Sequence, residues 1–181
     1  MESERRTQSR VRVGVIAALT ALACLGTMVI RIPIPATTGY FNIGDIFVIL
    51  AGLWLGPVGG LTVGALGPTI ADAIGFPVFI PATFFVKGFE GLVVGVVGGG
   101  KGGSVARKIV AAGLGAVVVV VGYFVFEAFI YPGLGQHIPV FAVTDIGAAI
   151  IEVVPNTVQG IVGAVGGVGL WKAVSGAREN L

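Results

Sequence analysis

One cysteine, Cys24, and one histidine, His137, are all that this sequence offers to sulfur or imidazole chemistry. The single cysteine excludes an internal disulfide, and the two counts together exclude a zinc site built from several histidines and cysteines. Charge is scarce as well. Only 11% of the 181 residues are Asp, Glu, Lys or Arg, against roughly 25% in soluble domains. A chain so poor in charge cannot cover a globule with polar surface. The formal net charge of +2 is too small to point to nucleic acid. No serine is framed by a base and no metal set is legible, so the chain is expected not to be an enzyme and not to carry a cofactor.

What is present is apolar, 55% of the chain, together with 31 glycines. Helices in lipid pack through small residues, because lipid tails supply no hydrophobic drive between them. The expected class is therefore an all-α integral membrane protein in contact with membrane lipid. A hydrocarbon core of about 30 Å takes roughly 20 helical residues. Runs punctuated by proline, glycine and charge divide the chain, read as one membrane domain over 1–181, into a basic tail over 1–12 and six helices. Their approximate bounds are 13–30, 43–55, 58–74, 81–98, 105–131 and 145–171. The second is short for a crossing and must tilt, distort or sit shallowly. The basic tail and "ALAC" at 21–24 imitate a lipoprotein signal, but the apolar run continues through "LGTMVI", beyond a signal core.

Basic residues orient the six crossings. With both termini in the cytoplasm, Arg5, Arg6, Arg10, Arg12, Lys101, Arg107, Lys108, Lys172 and Arg178 fall inside and only Arg31 outside, as the positive-inside rule requires. Lys87 lies within the membrane. The outer connections are then "RIPIPATTGYFNIG", "GFPVFIP" and "PGLGQHIPVFAVT", rich in proline and aromatics. They form either a lid over the outer mouth or an interfacial aromatic belt.

The buried polar residues share a depth. Glu152, Asn156 and Gln159 stand at i, i+4, i+7 on one helical face, with Pro155 beside them predicting a local kink. Tyr123, Glu127 and Tyr131 repeat the four-residue step, and Lys87 and Glu90 stand at i, i+3. At 1.5 Å per residue, Lys87 lies about 9 Å and Glu90 about 13 Å from the outer boundary, Glu127 about 6 Å, Glu152 about 10 Å and Asn156 about 16 Å. Three helices therefore turn polar groups toward one outer-half chamber, with Asn42 and Tyr40 of the first outer loop as further candidates. The plainer alternative is that Lys87 pairs with Glu90 or Glu127 as internal glue. Three carboxyls against one lysine imply either a protonated carboxyl or a cationic or hydrogen-bond-donating solute. Asp45 and Asp72, at helix ends, are read as helix caps. Gly14/Ala18 and Ala17/Ala21 on the first helix, and Gly60/Gly64 on the third, are close-packing pairs.

"GVVGGGKG", 95–102, nearly matches a phosphate loop, but Gly102 replaces the Ser or Thr and a membrane helix, not a strand, precedes it. No nucleotide site is expected. Over nearly its whole length the chain resembles the substrate-binding S components of energy-coupling factor (ECF) vitamin transporters, in "GYFNIGDIFVILAGLWLGPVGGLTVGALGPTIADAIGF", "PATFFVKGFEGLVVG" and "VPNTVQGIVGAVGG". It is most similar to the branch for riboflavin, hydroxymethylpyrimidine and pyridoxine-like solutes. The resemblance implies a six-helix bundle in a prokaryotic plasma membrane, binding a vitamin beneath the first outer loop. It also implies docking of the first helix, through Ala17 and Ala21 with Gly14 and Ala18 beside them, onto a transmembrane coupling subunit. Two cytoplasmic ATPases would supply the energy, so that ATP is used by the partners and not by this chain. Trp54 and Trp171 fall toward the inner side, which disfavours thiamin. A small heteroaromatic ring fits instead, with Glu127 and Glu152 accepting hydrogen bonds, Asn156 reading an amide-like edge, and Tyr123 or Phe84 stacking. The competing class is a self-sufficient proton-coupled carrier relaying through Lys87, Glu90 and Glu127.

Overall fold

The computed structural model describes residues 2–34, 39–100, 103–142 and 144–179. Residues 35–38 of the first predicted outer connection, Val143 of the third, and Lys101 and Gly102 lie outside the described residues, as do the side chains of Arg5 and Arg178. The described residues are all-α apart from one short hairpin, and five of the helices among them are long and apolar enough to cross a membrane.

Helix α1 spans Glu2–Val29, so the basic stretch expected as a tail is helical from its second residue. Glu and Arg are good helix formers and extend the apolar helix by simple propagation. Strands β1 (Ile32–Ile34) and β2 (Gly39–Phe41) pair antiparallel, with Pro33 opposite Tyr40. Proline is tolerated there because each strand of a two-stranded hairpin is an edge.

Helix α2, Asp45–Gly75, joins the second and third predicted segments across a break at Gly56. Gly56 has φ 78°, a backbone conformation open to glycine and costly for other residues, and Pro57 then starts the second limb with φ already set. The two limbs fold back on each other. A Cβ placed on Gly60 would lie 2.8 Å from the Cα of Gly52, and one on Gly64 would lie 3.0 Å from Cγ1 of Val48. In a straight helix those pairs would be about 12 Å and 24 Å apart.

Helix α3 (Ile80–Gly98) follows a 3-10 turn at Pro77–Phe79 and packs into the α2 hairpin. Helix α4 (Val105–Val125) is capped by Ser104, whose hydroxyl accepts from the Arg107 amide at 3.3 Å. It continues through a π-helical turn, Phe126–Ile130, into the short α5, Tyr131–Gly135. Helix α6 spans Ile146–Glu179 and runs through Pro155 as one element, packing on α4 and α2. The backbones approach closely where glycines meet: α2 and α3 touch at Gly60 and Gly91, and α3 and α2 again at Gly95 and Gly56.

The distribution of side chains is that of a lipid-solvated bundle. Val29, Val165, Val154 and Phe129 are exposed, while Lys87, Glu90, Glu127 and Lys108 are buried. Water would penalise the first arrangement and lipid the reverse. At one end Lys108 donates to the carbonyl of Gly98, its ammonium 5.0 Å from the Trp171 ring centre. The other end carries the β-hairpin and the polar chamber.

Candidate functional site

Residues from every membrane-spanning helix and from the hairpin enclose the chamber. From α3 come Thr83 and Lys87; from α4 and its π-turn, Tyr123 and Glu127; from α6, Glu152, Asn156 and Gln159. The hairpin and the residues after it supply Gly39, Tyr40 and Asn42, and Thr27, Pro68, Asp72 and Phe79 complete the wall. The free volume at its centre is about 30 Å³. Pockets for drug-sized molecules run to about 300–1,000 Å³, so a ring-sized ligand needs the walls to move apart.

A buried ion pair anchors one wall. Lys87 Nζ donates to Asp45 Oδ1 at 2.6 Å, and Glu90 Oε2 stands 3.8 Å from the same nitrogen. Gln159 links this pair to the hairpin side. Its Nε2 donates to Asp45 Oδ2 at 3.0 Å, and its Oε1 accepts from the Asn42 backbone amide at 2.8 Å and side-chain amide at 3.2 Å. Asn42 Oδ1 in turn accepts from the Gly44 amide at 2.9 Å, closing the turn that leads into α2. Lys87, Asp45, Gln159 and Asn42 thus form one network joining α3, α2, α6 and the hairpin. The Lys87 ammonium also lies 5.4 Å from the Tyr123 ring centre, and Tyr123 shares a hydrogen bond of 3.0 Å with Thr83.

The hairpin is fastened a second time. Tyr40 donates its hydroxyl to Asp72 Oδ1, and its ring lies 4.5 Å from Phe76 and 5.0 Å from the Arg31 guanidinium. Burial, reinforced by the negative charge of Asp72, pushes the Tyr40 phenol well above its ordinary pKa. It therefore stays protonated and keeps donating.

Opposite the ion pair, Glu127 and Glu152 approach each other from the π-turn and α6. Both are buried, at 1% and 3% exposure, and no other side chain or amide among the described residues donates a hydrogen bond to either oxygen of Glu127 or to Oε1 of Glu152. The two carboxyls lie within hydrogen-bonding reach of each other. Asn156 Nδ2 reaches Glu152 Oε2 at 3.4 Å, at the long limit.

The structure therefore brings together Lys87, Tyr123, Glu127, Glu152, Asn156, Gln159, Asn42 and Tyr40. Glu90 is fully buried behind Lys87 and is not part of the chamber wall. Phe84 is not in the chamber either. It is 41% exposed on the outer face of α3 with Phe85, because it lies about 100° around the helix from Thr83, which faces inward. Asp45 and Asp72 are not caps: the N-cap of α2 is Gly44 without a side-chain bond, and both carboxylates serve the chamber's networks. Tyr131 donates to the Val78 carbonyl at 2.8 Å and packs among Phe79, Phe126 and Phe141. On α1, Gly14, Ala17, Ala18 and Ala21 are all exposed, and Ala17 and Ala21 line a groove with Thr62, Leu66 and Ile70 of α2.

A helical membrane bundle with an enclosed polar chamber and no catalytic set among the described residues has the form of a solute-binding transport protein. The comparisons name the kind. The family model described as "ECF-type riboflavin transporter, S component" matches residues 7–175, and the chain belongs to that family. This is a transporter family, not an enzyme family, and the chain is a multi-pass membrane protein. It is also 36% identical over 144 residues to a protein of Pyrococcus woesei described as "Uncharacterized protein in gap 3'region", a match covering 80% of this chain and 88% of that one.

Proposed function

We propose that this chain is the high-affinity binding subunit of an ECF-type importer for a small heteroaromatic vitamin or precursor of the pyridoxine, hydroxymethylpyrimidine or riboflavin class. Six crossings, with the α2 hairpin supplying two of them, place both termini in the cytoplasm and open the chamber to the outside of the cell membrane. A separate transmembrane coupling subunit and two ATPases, using ATP, supply the energy.

The observation that carries this reading is the chamber itself: buried carboxyl, amide, ammonium and phenol groups converge under a hairpin held by side-chain hydrogen bonds. Buried polar groups in a membrane protein are costly to insert and mark solute sites. The smooth, exposed stripe of Gly14, Ala17, Ala18 and Ala21 supports docking of a helix from the coupling subunit.

Reconstitution tests both parts. Vesicles with this chain alone should bind the vitamin without accumulating it, and uptake should appear only with the coupling module and ATP. Uptake by the chain alone, driven by a proton gradient, would instead establish a self-sufficient carrier. Leucine at both Ala17 and Ala21 should abolish coupled uptake and leave the binding affinity within about twofold, since surface changes away from the chamber cost little. Unimpaired uptake would remove the docking surface from this account.

A further inference from the structure

Within the importer reading, on which this inference rests, the geometry of the chamber's carboxyl pair is set by a residue outside the chamber wall. We propose that Thr144, in the third outer connection, is a positioning residue for solute binding. Its hydroxyl holds the turn at Phe126–Ile130 in the π form and so aims Glu127 at Glu152 and the chamber.

The backbone bonding carries the argument. In an α-helix the Tyr131 amide would donate four residues back, to the Glu127 carbonyl. Here it donates five residues back, to the Phe126 carbonyl. The amide five residues beyond Glu127 would belong to position 132, and Pro132 has no N–H. Neither helical count therefore serves the Glu127 carbonyl. Thr144 does: its Oγ1 donates to that carbonyl at 2.8 Å, from 17 residues further along the chain. Backbone groups freed from helical bonding within a membrane must be satisfied again, and threonine hydroxyls are one of the means.

Thr144 also stands at the start of α6. The next side chain, Asp145, accepts from the Ala148 amide at 2.8 Å and caps the helix that presents Glu152 about two turns on. Two neighbouring residues thus fix the two carboxyls, Thr144 through the π-turn and Asp145 through α6, which packs on that turn. Without the Thr144 hydroxyl, the Tyr131 amide can return to the Glu127 carbonyl and the turn tightens toward α. That change of register rotates Glu127 about its helix axis, away from its present aim at Glu152.

Calorimetry on the purified full-length chain tests this, with riboflavin, pyridoxine and 4-amino-5-hydroxymethyl-2-methylpyrimidine as probes. For the probe that the parent binds most tightly, Thr144→Val should weaken binding about 3- to 10-fold, the range of one neutral hydrogen bond. Thr144→Ser, which keeps the donor, should stay within about twofold of the parent. In a Glu127→Ala background, Thr144→Val should cost less than about twofold, because the side chain it positions is gone. A purely structural role would give the same loss in both backgrounds. If Thr144→Val is not monodisperse, Thr144→Ala takes its place; if Glu127→Ala binds no probe, the comparison with Thr144→Ser decides. Parent-like affinity in folded Thr144→Val, equal losses in Thr144→Val and Thr144→Ser, or an undiminished loss in the Glu127→Ala background overturns this inference and leaves the importer reading intact. Binding of none of the three probes by the folded parent overturns both.

Discussion

Lys87→Met should be among the most destabilising single substitutions in the chain, lowering stability by about 3–5 kcal/mol. The methionine nearly matches the lysine stem in volume, so packing around it is preserved and the loss is electrostatic. Asp45, 0% exposed, would lose its partner at 2.6 Å, and Glu90, also 0% exposed, its partner at 3.8 Å. Gln159 would still donate to Asp45, but one neutral donor does not balance two buried acids. The double variant Lys87→Met/Asp45→Asn should recover more than half of the loss, because the uncompensated charge at position 45 is removed. A cycle of melting temperatures in detergent reads this coupling. If Lys87→Met melts within about 2 °C of the parent, the ion pair is not a structural element of the bundle.

The second large effect belongs to the crossing of α2 and α3. A Cβ on Gly60 would collide with the Gly91 carbonyl oxygen, and a Cβ on Gly91 with the Gly60 carbonyl oxygen. Both obstacles are backbone atoms of packed helices, so no flexible side-chain tip can swing aside. Overpacking of this kind costs about 1–3 kcal/mol and occasionally more. Gly60→Ala and Gly91→Ala should therefore each lower the melting temperature. Gly113→Ala on α4, with open space around it, is the control. There the greater helix propensity of alanine, worth up to about 1 kcal/mol, should leave stability unchanged or raised. Gly60→Ala melting no lower than Gly113→Ala would mean the helices are not in backbone contact.

How far the site could be read from sequence differs residue by residue. Lys87, Tyr123, Glu127, Glu152, Asn156 and Gln159 were recognisable because helical spacing converts a few polar letters in an apolar run into a common face. Asp45 and Asp72 were misread because an aspartate at a helix end looks the same locally whether it caps the helix or reaches across to Lys87 or Tyr40. Only the distant partner, 42 and 32 residues away, tells them apart. Phe84 was a candidate for stacking on the ligand beside Tyr123, whereas a step of one residue from Thr83 turns it out of the bundle. The π-turn at Phe126–Ile130 has no signal in the sequence, yet it carries Glu127. Helix limits were legible at Gly56, Gly98 and Val105, where glycine or a cap ends the apolar run. They were not legible at the N-terminus, where charged residues are helix formers too.

The most direct measurement of the central claim, that the buried polar chamber is a solute-binding site, is equilibrium binding of the candidate heteroaromatic vitamins to the purified chain alone, beside the Glu152→Ala/Asn156→Ala variant. Saturable binding by the parent, lost in a variant that remains folded and monodisperse, is the predicted result. Unchanged affinity in that variant would contradict the account, because the solute would then bind somewhere other than this chamber.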